Sequence, residues 1–330
     1  MKRLLLLGLC ALTCAAQELR VYAIDVEGGK STLYVSPSGQ SMLVDAGYAG
    51  FQNRDADRIV AAAKAAGVTQ IDYLVITHYH PDHVGGVPQL AAKMPIRNFV
   101  DHGKNFETAK DVGDVYGNYV AARAKGTHIV VKAGDRIPIG GLDVEVVTAA
   151  GKAIRKPLPG AGQPNPLCAS YPPIEPDKGE NAHSIGMVIS YGKFRLVDLG
   201  DLHWNRERDL ACPNNLLGRA DVYMTTHHAK KTSGMPAMVY ALGPKAAIMN
   251  NGPKLGGVDS TWQALHDSPG TPDIWQLHYA LMNDAAHNSA DSFIANRSED
   301  CTGNWIKLAA RADGSFTIQN GRTQVEKAYR

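Results

Sequence analysis

Thiols, apolar runs and net charge are all in short supply in this chain. Only five cysteines stand among the 330 residues, and Cys10 and Cys14 fall in an N-terminal stretch set apart below. Cys168, Cys212 and Cys301 remain. None sits in a C-x-x-C and none lies beside the histidine-rich segment, so they read as structural rather than as metal ligands. In an oxidising compartment one pair could bridge and leave a thiol over; three pairings stay open. Beyond residue 16 no run is long and apolar enough to cross a bilayer. No internal repeat or low-complexity linker divides the chain.

The first sixteen residues form a class of their own. Met1-Lys2-Arg3 is positive, 4–13 is apolar, and Cys14-Ala15-Ala16 ends in small residues before Gln17. This is the pattern of a secretory signal cleaved after Ala16, with a periplasmic or secreted product. Lipidation at Cys14 is the alternative, but Ala11-Leu12-Thr13 is a poor approach to it. The chain carries 34 Lys and Arg against 32 Asp and Glu; without Lys2 and Arg3 the balance is 32 against 32. A neutral chain projects no broad field toward a polyanion, so no extended nucleic-acid surface is expected. Local basic spots at Lys152, Arg155 and Lys156, and at Lys230 and Lys231, read as solvated loop charges.

What is plentiful is histidine in one place. Thr77-His78-Tyr79-His80-Pro81-Asp82-His83 follows the apolar run Tyr73-Leu74-Val75-Ile76. Three imidazoles and a carboxylate on one turn at a strand end suit zinc or a similar divalent ion better than a chance His-rich surface turn. Around it, alternating runs predict strands over 19–26, 31–35 and 41–44, the last ending in Asp45-Ala46-Gly47. A helix is expected over 55–66 with Gly67 as its C-cap, then a strand over 72–77, a helix over 87–93 and a strand over 96–100. A helix over 108–125 and strands over 128–131 and 142–148 follow. Residues 149–178, rich in Pro, Gly and Ala, form an excursion of functional length. The rhythm then repeats: a hairpin of 185–191 and 194–199, a strand over 222–225, a helix over 236–242, a strand over 246–250 and a terminal hairpin of 305–310 and 315–319.

A metal held by one turn would be loosely defined, and further ligand-type residues do recur at strand ends. His183 precedes the strand at 185, Asp201 follows the one ending at 199, and His227 and His228 follow the one ending at 225. His102, in Asp101-His102-Gly103, is a candidate pocket residue after the strand over 96–100.

With these residues in order, the chain resembles the metallo-β-lactamase superfamily over nearly all of 17–330. The resemblance implies an α/β fold: a four-layer αββα sandwich of two mixed β-sheets with outer helices, and an insertion near 149–178. It implies two divalent ions, zinc by preference, with manganese or iron as alternatives. His78, His80 and His183 would hold one ion; Asp82, His83 and His228 the other; Asp201 would bridge. His228 is preferred to His227 because Ala229 follows it. Asp45 would orient the site, and Asp82 and Asp201 would orient the nucleophile, with His227 beside them.

The likeness extends to the ComEC-like β-lactamase domain and its stand-alone secreted relatives. Ile24-Asp25-Val26-Glu27-Gly28-Gly29 looks like that group's D-V-G-Q-G-D, and Leu43-Val44-Asp45-Ala46-Gly47, Leu199-Gly200-Asp201 and His227-His228-Ala229-Lys230 resemble its later motifs. Lys30 departs from the final acid of the first motif, Ala229-Lys230 from Gly-Ser, and that group often lacks a histidine at the position of His183. The expected activity is a secreted hydrolase using a metal-bridging hydroxide on phosphodiester-type or small-molecule substrates. The alternatives are a β-lactam or other ester or amide hydrolase, an iron-dependent oxidoreductase, and a non-catalytic metal-binding protein. Specificity is expected to reside in 149–178 and in 261–291, the latter carrying Trp262, Trp275, His278, Tyr279 and His287.

Overall fold

A computed structural model describes residues 17–107, 114–270 and 273–330. The expected signal at 1–16 and the start of the expected helix over 108–125 lie outside these residues. The first half runs β1 (Leu19–Ala23), β2 (Thr32–Val35), β3 (Ser41–Val44), α1 (Arg54–Ala65), β4 (Ile71–Val75), α2 (Pro81–Val84), α3 (Val87–Lys93), β5 (Ile96–Asp101), α4 (Val115–Arg123) and β6 (Thr127–Val130). The second half runs β7 (Asp143–Ala149), β8 (Lys152–Ala153), β9 (Gly186–Tyr191), β10 (Phe194–Asp198), α5 (Trp204–Ala211), β11 (Val222–Met224), α6 (Pro236–Leu242), β12 (Ala246–Met249), α7 (Asp259–His266), β13 (Asp273–His278) and β14 (Ile294–Asn296). The chain closes with β15 (Ile306–Ala310), β16 (Phe316–Asn320) and β17 (Glu326–Tyr329).

Two mixed sheets result, ordered β17-β16-β15-β1-β2-β3-β4-β5-β6 and β14-β13-β12-β11-β10-β9-β7-β8. Side chains alternate across a strand, and the alternation builds four layers. Leu19, Val21, Met187, Ile189, Val222 and Met224 fill the space between the sheets. Tyr22, Leu33 and Leu43 point the other way, onto Ile59 and Ala62 of α1, Leu90 of α3 and Tyr119 of α4. Val188, Val197 and Tyr223 do the same for the second sheet, against Leu210, Met238 and Leu265. The expected αββα sandwich is thus present, helices outermost.

The pairing also aims the site. β3, β4, β5 and β6 are mutually parallel, as are β10 through β14, so the turns leaving β3, β4, β10 and β11 gather at one edge. β9 is antiparallel to β10, which brings the segment entering β9 to the same edge. Ile185 N donates to Thr77 O at 2.8 Å, joining the two halves beside the histidine turn.

Several expectations change. The C-terminal hairpin continues into β17, and β15 pairs with β1, which adds these three strands to the first sheet. The segment expected to wall a pocket is mainly framework. Trp275 is fully buried in β13, and its indole N–H donates to Tyr329 Oη at 2.9 Å. The cysteine question resolves to a Cys168–Cys212 disulfide with Cys301 free, so the excursion is tied to the end of α5. Among the described residues no helix is long and apolar enough to cross a membrane.

Candidate metal centre

The histidine turn leaves β4 as expected, and its second part winds into α2. Asp45 Oδ1 accepts the amide of Thr77 at 2.8 Å, while Oδ2 accepts the Thr77 hydroxyl and Nδ1–H of His83, each at 2.8 Å. Asp45 is fully buried behind the turn. It positions His83 rather than facing the reacting space.

These bonds decide which ring nitrogens carry protons. The Thr77 hydroxyl is spent on Asp45, so its oxygen accepts from His78 Nδ1 at 3.1 Å. His80 Nε2 donates to Glu107 Oε2 at 2.8 Å. His228 Nδ1 lies 3.3 Å from the backbone oxygen of Asn250, and His183 Nδ1 lies 2.9 Å from that of Gly179. Each imidazole is therefore set to offer its other nitrogen to an ion that displaces any proton there, as a metal ligand must.

The lone pairs face one another. His83 Nε2 is 3.2 Å from His228 Nε2, and Asp201 Oδ2 lies 3.1 Å from the first and 3.2 Å from the second. Asp82 Oδ2 approaches the same two nitrogens at 3.6 and 3.3 Å. These four residues can present ligand atoms within 4.8 Å of one another. Next to them His78 Nε2 faces His80 Nδ1 at 3.0 Å and lies 4.0 Å from Asp201 Oδ2. The buried Asp201 Oδ1 has no hydrogen-bond partner. Such a knot of acceptors is unfavourable unless positive charge sits within it. The donor set, imidazole nitrogen with carboxylate oxygen, fits a divalent ion.

Proton affinities state the same demand. Burial disfavours charge on His83, but the carboxylates of Asp201, Asp82 and Asp45 outweigh it and raise its pKa well above the ordinary value. His228 is raised against its burial by Asp201 and Asp82. Asp201, although buried, is held well below the usual carboxylate range by His228, His83 and His227. His78 goes the other way, lowered by burial and by the charge of His83.

His227 and His228 reach the site through strain. His227, His228 and Ala229 take φ of 50°, 54° and 59°, a left-handed run that costs non-glycine residues about 1–2 kcal/mol each. The turn aims His228 at Asp201 and leaves His227 Nε2 at 3.8 Å from Asp201 Oδ2. His227 stacks on His203 with ring centroids 4.7 Å apart, and burial pushes its pKa down to about 3.

Two candidate residues make their contacts outside the converging group. His183 was grouped with His78 and His80, yet among the described residues it makes no hydrogen bond to either. It stacks on Phe106 instead, centroids 3.8 Å apart. The turn that carries it is anchored by Glu180, which accepts from Tyr79 N at 3.0 Å and from Phe106 N. His102, expected as a pocket residue, is buried and lines a neighbouring cavity: Nε2 meets Glu180 Oε2 at 3.1 Å, and among the described residues Nδ1 has no partner. Glu107 and Glu180 were missed by sequence reasoning, since no spacing tied them to the histidines, and Thr77, although part of the turn, was given no role. Lys30, seen only as a departure from a motif, is fully buried and ion-paired with Asp198 between the sheets.

Comparison with known proteins finds partial matches. Residues 24–163 match the model of the metallo-beta-lactamase superfamily. The match stops short of Asp201 and His228, which the fold itself brings to the histidine turn. ComE operon protein 3 of Bacillus subtilis (strain 168) is 25% identical over 256 residues, covering 72% of this chain and 29% of that protein. Hydroxyacylglutathione hydrolase of Rhodopseudomonas palustris (strain HaA2) is 26% identical over 139 residues, 42% of this chain and 45% of the relative. The chain thus spans less than half the length of these curated relatives. Among solved structures, the metallo-beta-lactamase fold protein YhfI from Bacillus subtilis aligns with a TM-score of 0.47 at 13% identity, covering 78% of this chain and 96% of that one. The match to the metallo-beta-lactamase superfamily model thus covers the part of the chain that holds Asp45 and the histidine turn.

Proposed function

We propose that this protein is a secreted metal-dependent hydrolase of phosphodiester-type substrates. The observation that carries the reading is the convergence of Asp82, His83, Asp201 and His228, with each imidazole's far nitrogen already committed. His78 and His80 would hold a second ion beside that group. Divalent ions, when bound, acidify a coordinated water and polarise the oxygen of the scissile group. The chain's own residues do the rest. Asp45, Glu107 and Asn250 fix the rings of His83, His80 and His228, so no reorientation is needed during turnover. Asp82, the most exposed of the four converging residues, would orient an incoming water at the edge of the group. His227 stays neutral and offers Nε2 as an acceptor to substrate, because Ser233 Oγ, which donates to Leu202 O at 2.8 Å, takes its Nδ1–H at 3.2 Å.

The test is elemental analysis of the protein purified from the periplasm or medium, then turnover of bis-p-nitrophenyl phosphate and a chromogenic cephalosporin. About two zinc or manganese per chain with diester turnover supports the proposal. Cephalosporin turnover alone moves the substrate to lactams. Iron with oxygen consumption and no hydrolysis of either overturns it.

A further inference from the structure

Beside the metal centre lies a cavity of about 1080 Å³, walled by His102, Phe106, Glu145 and residues 130–134, 136, 149–150 and 152–159. Its wall is continuous with the site. Phe106 stacks on His183 and precedes Glu107, which holds His80. Gly151, between the lining residues Ala150 and Lys152, lies against His183: a Cβ added there would come within 3.3 Å of Nε2. His102, which lines the cavity, is fixed through Nε2 to Glu180 Oε2 at 3.1 Å.

The charge on the walls is of one sign. Lys132, Lys152, Arg155 and Lys156 line the cavity, are exposed, and among the described residues make no ion pair. The one lining acid, Glu145, is already paired with Arg136 at 3.1 Å, and Arg136 also meets Asp143 at 3.0 Å. Asp135, nearby in sequence, caps the Lys132 amide at 2.8 Å. Four cations without an ion pair among the described residues thus line one concave space. A concave wall of one sign concentrates the field.

We propose that this cavity is a subsite for a remote anionic group of the substrate, held by Lys152, Arg155 and Lys156 while the scissile group lies at the metal centre. The inference rests on the hydrolase reading and adds a substrate class: diesters carrying a second anionic group beyond the bond that is cut. A neutral or singly charged substrate would leave the cations unused.

The test compares thymidine 5′-(p-nitrophenyl phosphate) with and without a 3′-phosphate on the metal-replete protein. The 3′-phosphate is expected to raise kcat/KM about tenfold, mainly through KM, as a charge-assisted contact would. That advantage should vanish in a Lys152→Ser, Arg155→Ser, Lys156→Ser variant, fade with salt, and persist in Lys152→Arg, Lys156→Arg. An advantage that survives the triple serine variant overturns the subsite while leaving the hydrolase intact. If neither diester is turned over, the hydrolase reading fails, and equilibrium binding of thymidine 3′,5′-bisphosphate decides the subsite. Equal affinity of wild type and triple serine variant then overturns it; affinity lost only with the cations supports it.

Discussion

Asp45 offers the sharpest test of the claim that the metal centre is pre-set by proton placement. Asp45→Asn keeps the size of the side chain, and asparagine tolerates the left-handed backbone at this position, where φ is 62°. Its carbonyl oxygen can still accept the Thr77 amide, but its NH2 then faces Thr77 Oγ1 and His83 Nδ1. The imidazole must respond by moving its proton to Nε2, the atom that faces His228 and Asp201. Binding an ion then requires returning that proton and forfeiting a hydrogen bond. A bond to a charged group contributes about 1.5–3 kcal/mol, which corresponds to the roughly 10- to 100-fold loss typical when such orienting partners are changed. The prediction is a 10- to 100-fold weaker affinity for one of two zinc ions, read by competition with a chromophoric chelator near neutral pH, with unchanged circular dichroism. Asp45→Ala would not be equivalent. It leaves the buried Thr77 amide unpaired, a cost of about 1–3 kcal/mol in stability, and so confounds folding with binding. A folded Asp45→Asn protein that takes up both ions with wild-type affinity would refute the reasoning.

Three further outcomes follow from other buried groups. Glu207, fully buried beneath the loop of His227, is pushed up to about 7 by burial despite accepting the amides of Gly234 and Met235. The folded state therefore holds a proton that the unfolded state has released, so metal-free stability should fall as pH rises from about 4.5 to 7, by on the order of 3 kcal/mol. Glu207→Gln should flatten that part of the curve in urea titrations; an unchanged slope refutes the assignment. The Cys168–Cys212 bridge spans 44 residues, and its loss in a double serine variant should cost about 4 kcal/mol of unfolding free energy by the chain-entropy relation. A change under 1 kcal/mol would mean the excursion is held by its packing instead. Lys30→Met strands the buried Asp198 with only Tyr34 Oη and the Gly200 amide, both at 3.2 Å, and should destabilise by about 3–5 kcal/mol. Adding Asp198→Leu should restore most of that loss; a double variant as unstable as the single one would show that the pair is not the cause.

What was legible beforehand was whatever a short stretch of chain specifies by itself. The histidine turn is such a case, because its ligand-type residues are nearly consecutive and follow an apolar strand. Helix α3 came out at 87–93 and α6 at 236–242, where Pro starts each helix and the apolar positions recur at helical spacing. Strand β13 was hidden for the opposite reason. It buries Gln276 and His278, whose partners Asn288 and Asp25 lie 12 and 253 residues away, so its polar members looked like loop or pocket. The orienting shell divides along the same line. Asp45 sits at a strand end in a recognisable run, whereas Glu180 meets the Tyr79 amide across 101 residues and Glu107 meets His80 across a segment with no readable period. The basic loop at 152–156 belongs to the hidden class. Sequence reads cations among prolines and glycines as solvated, since the acids that would pair them cannot be located. Only the folded chain shows Glu145 and Asp143 committed to Arg136, and that commitment turns three ordinary loop charges into one side of an anion site.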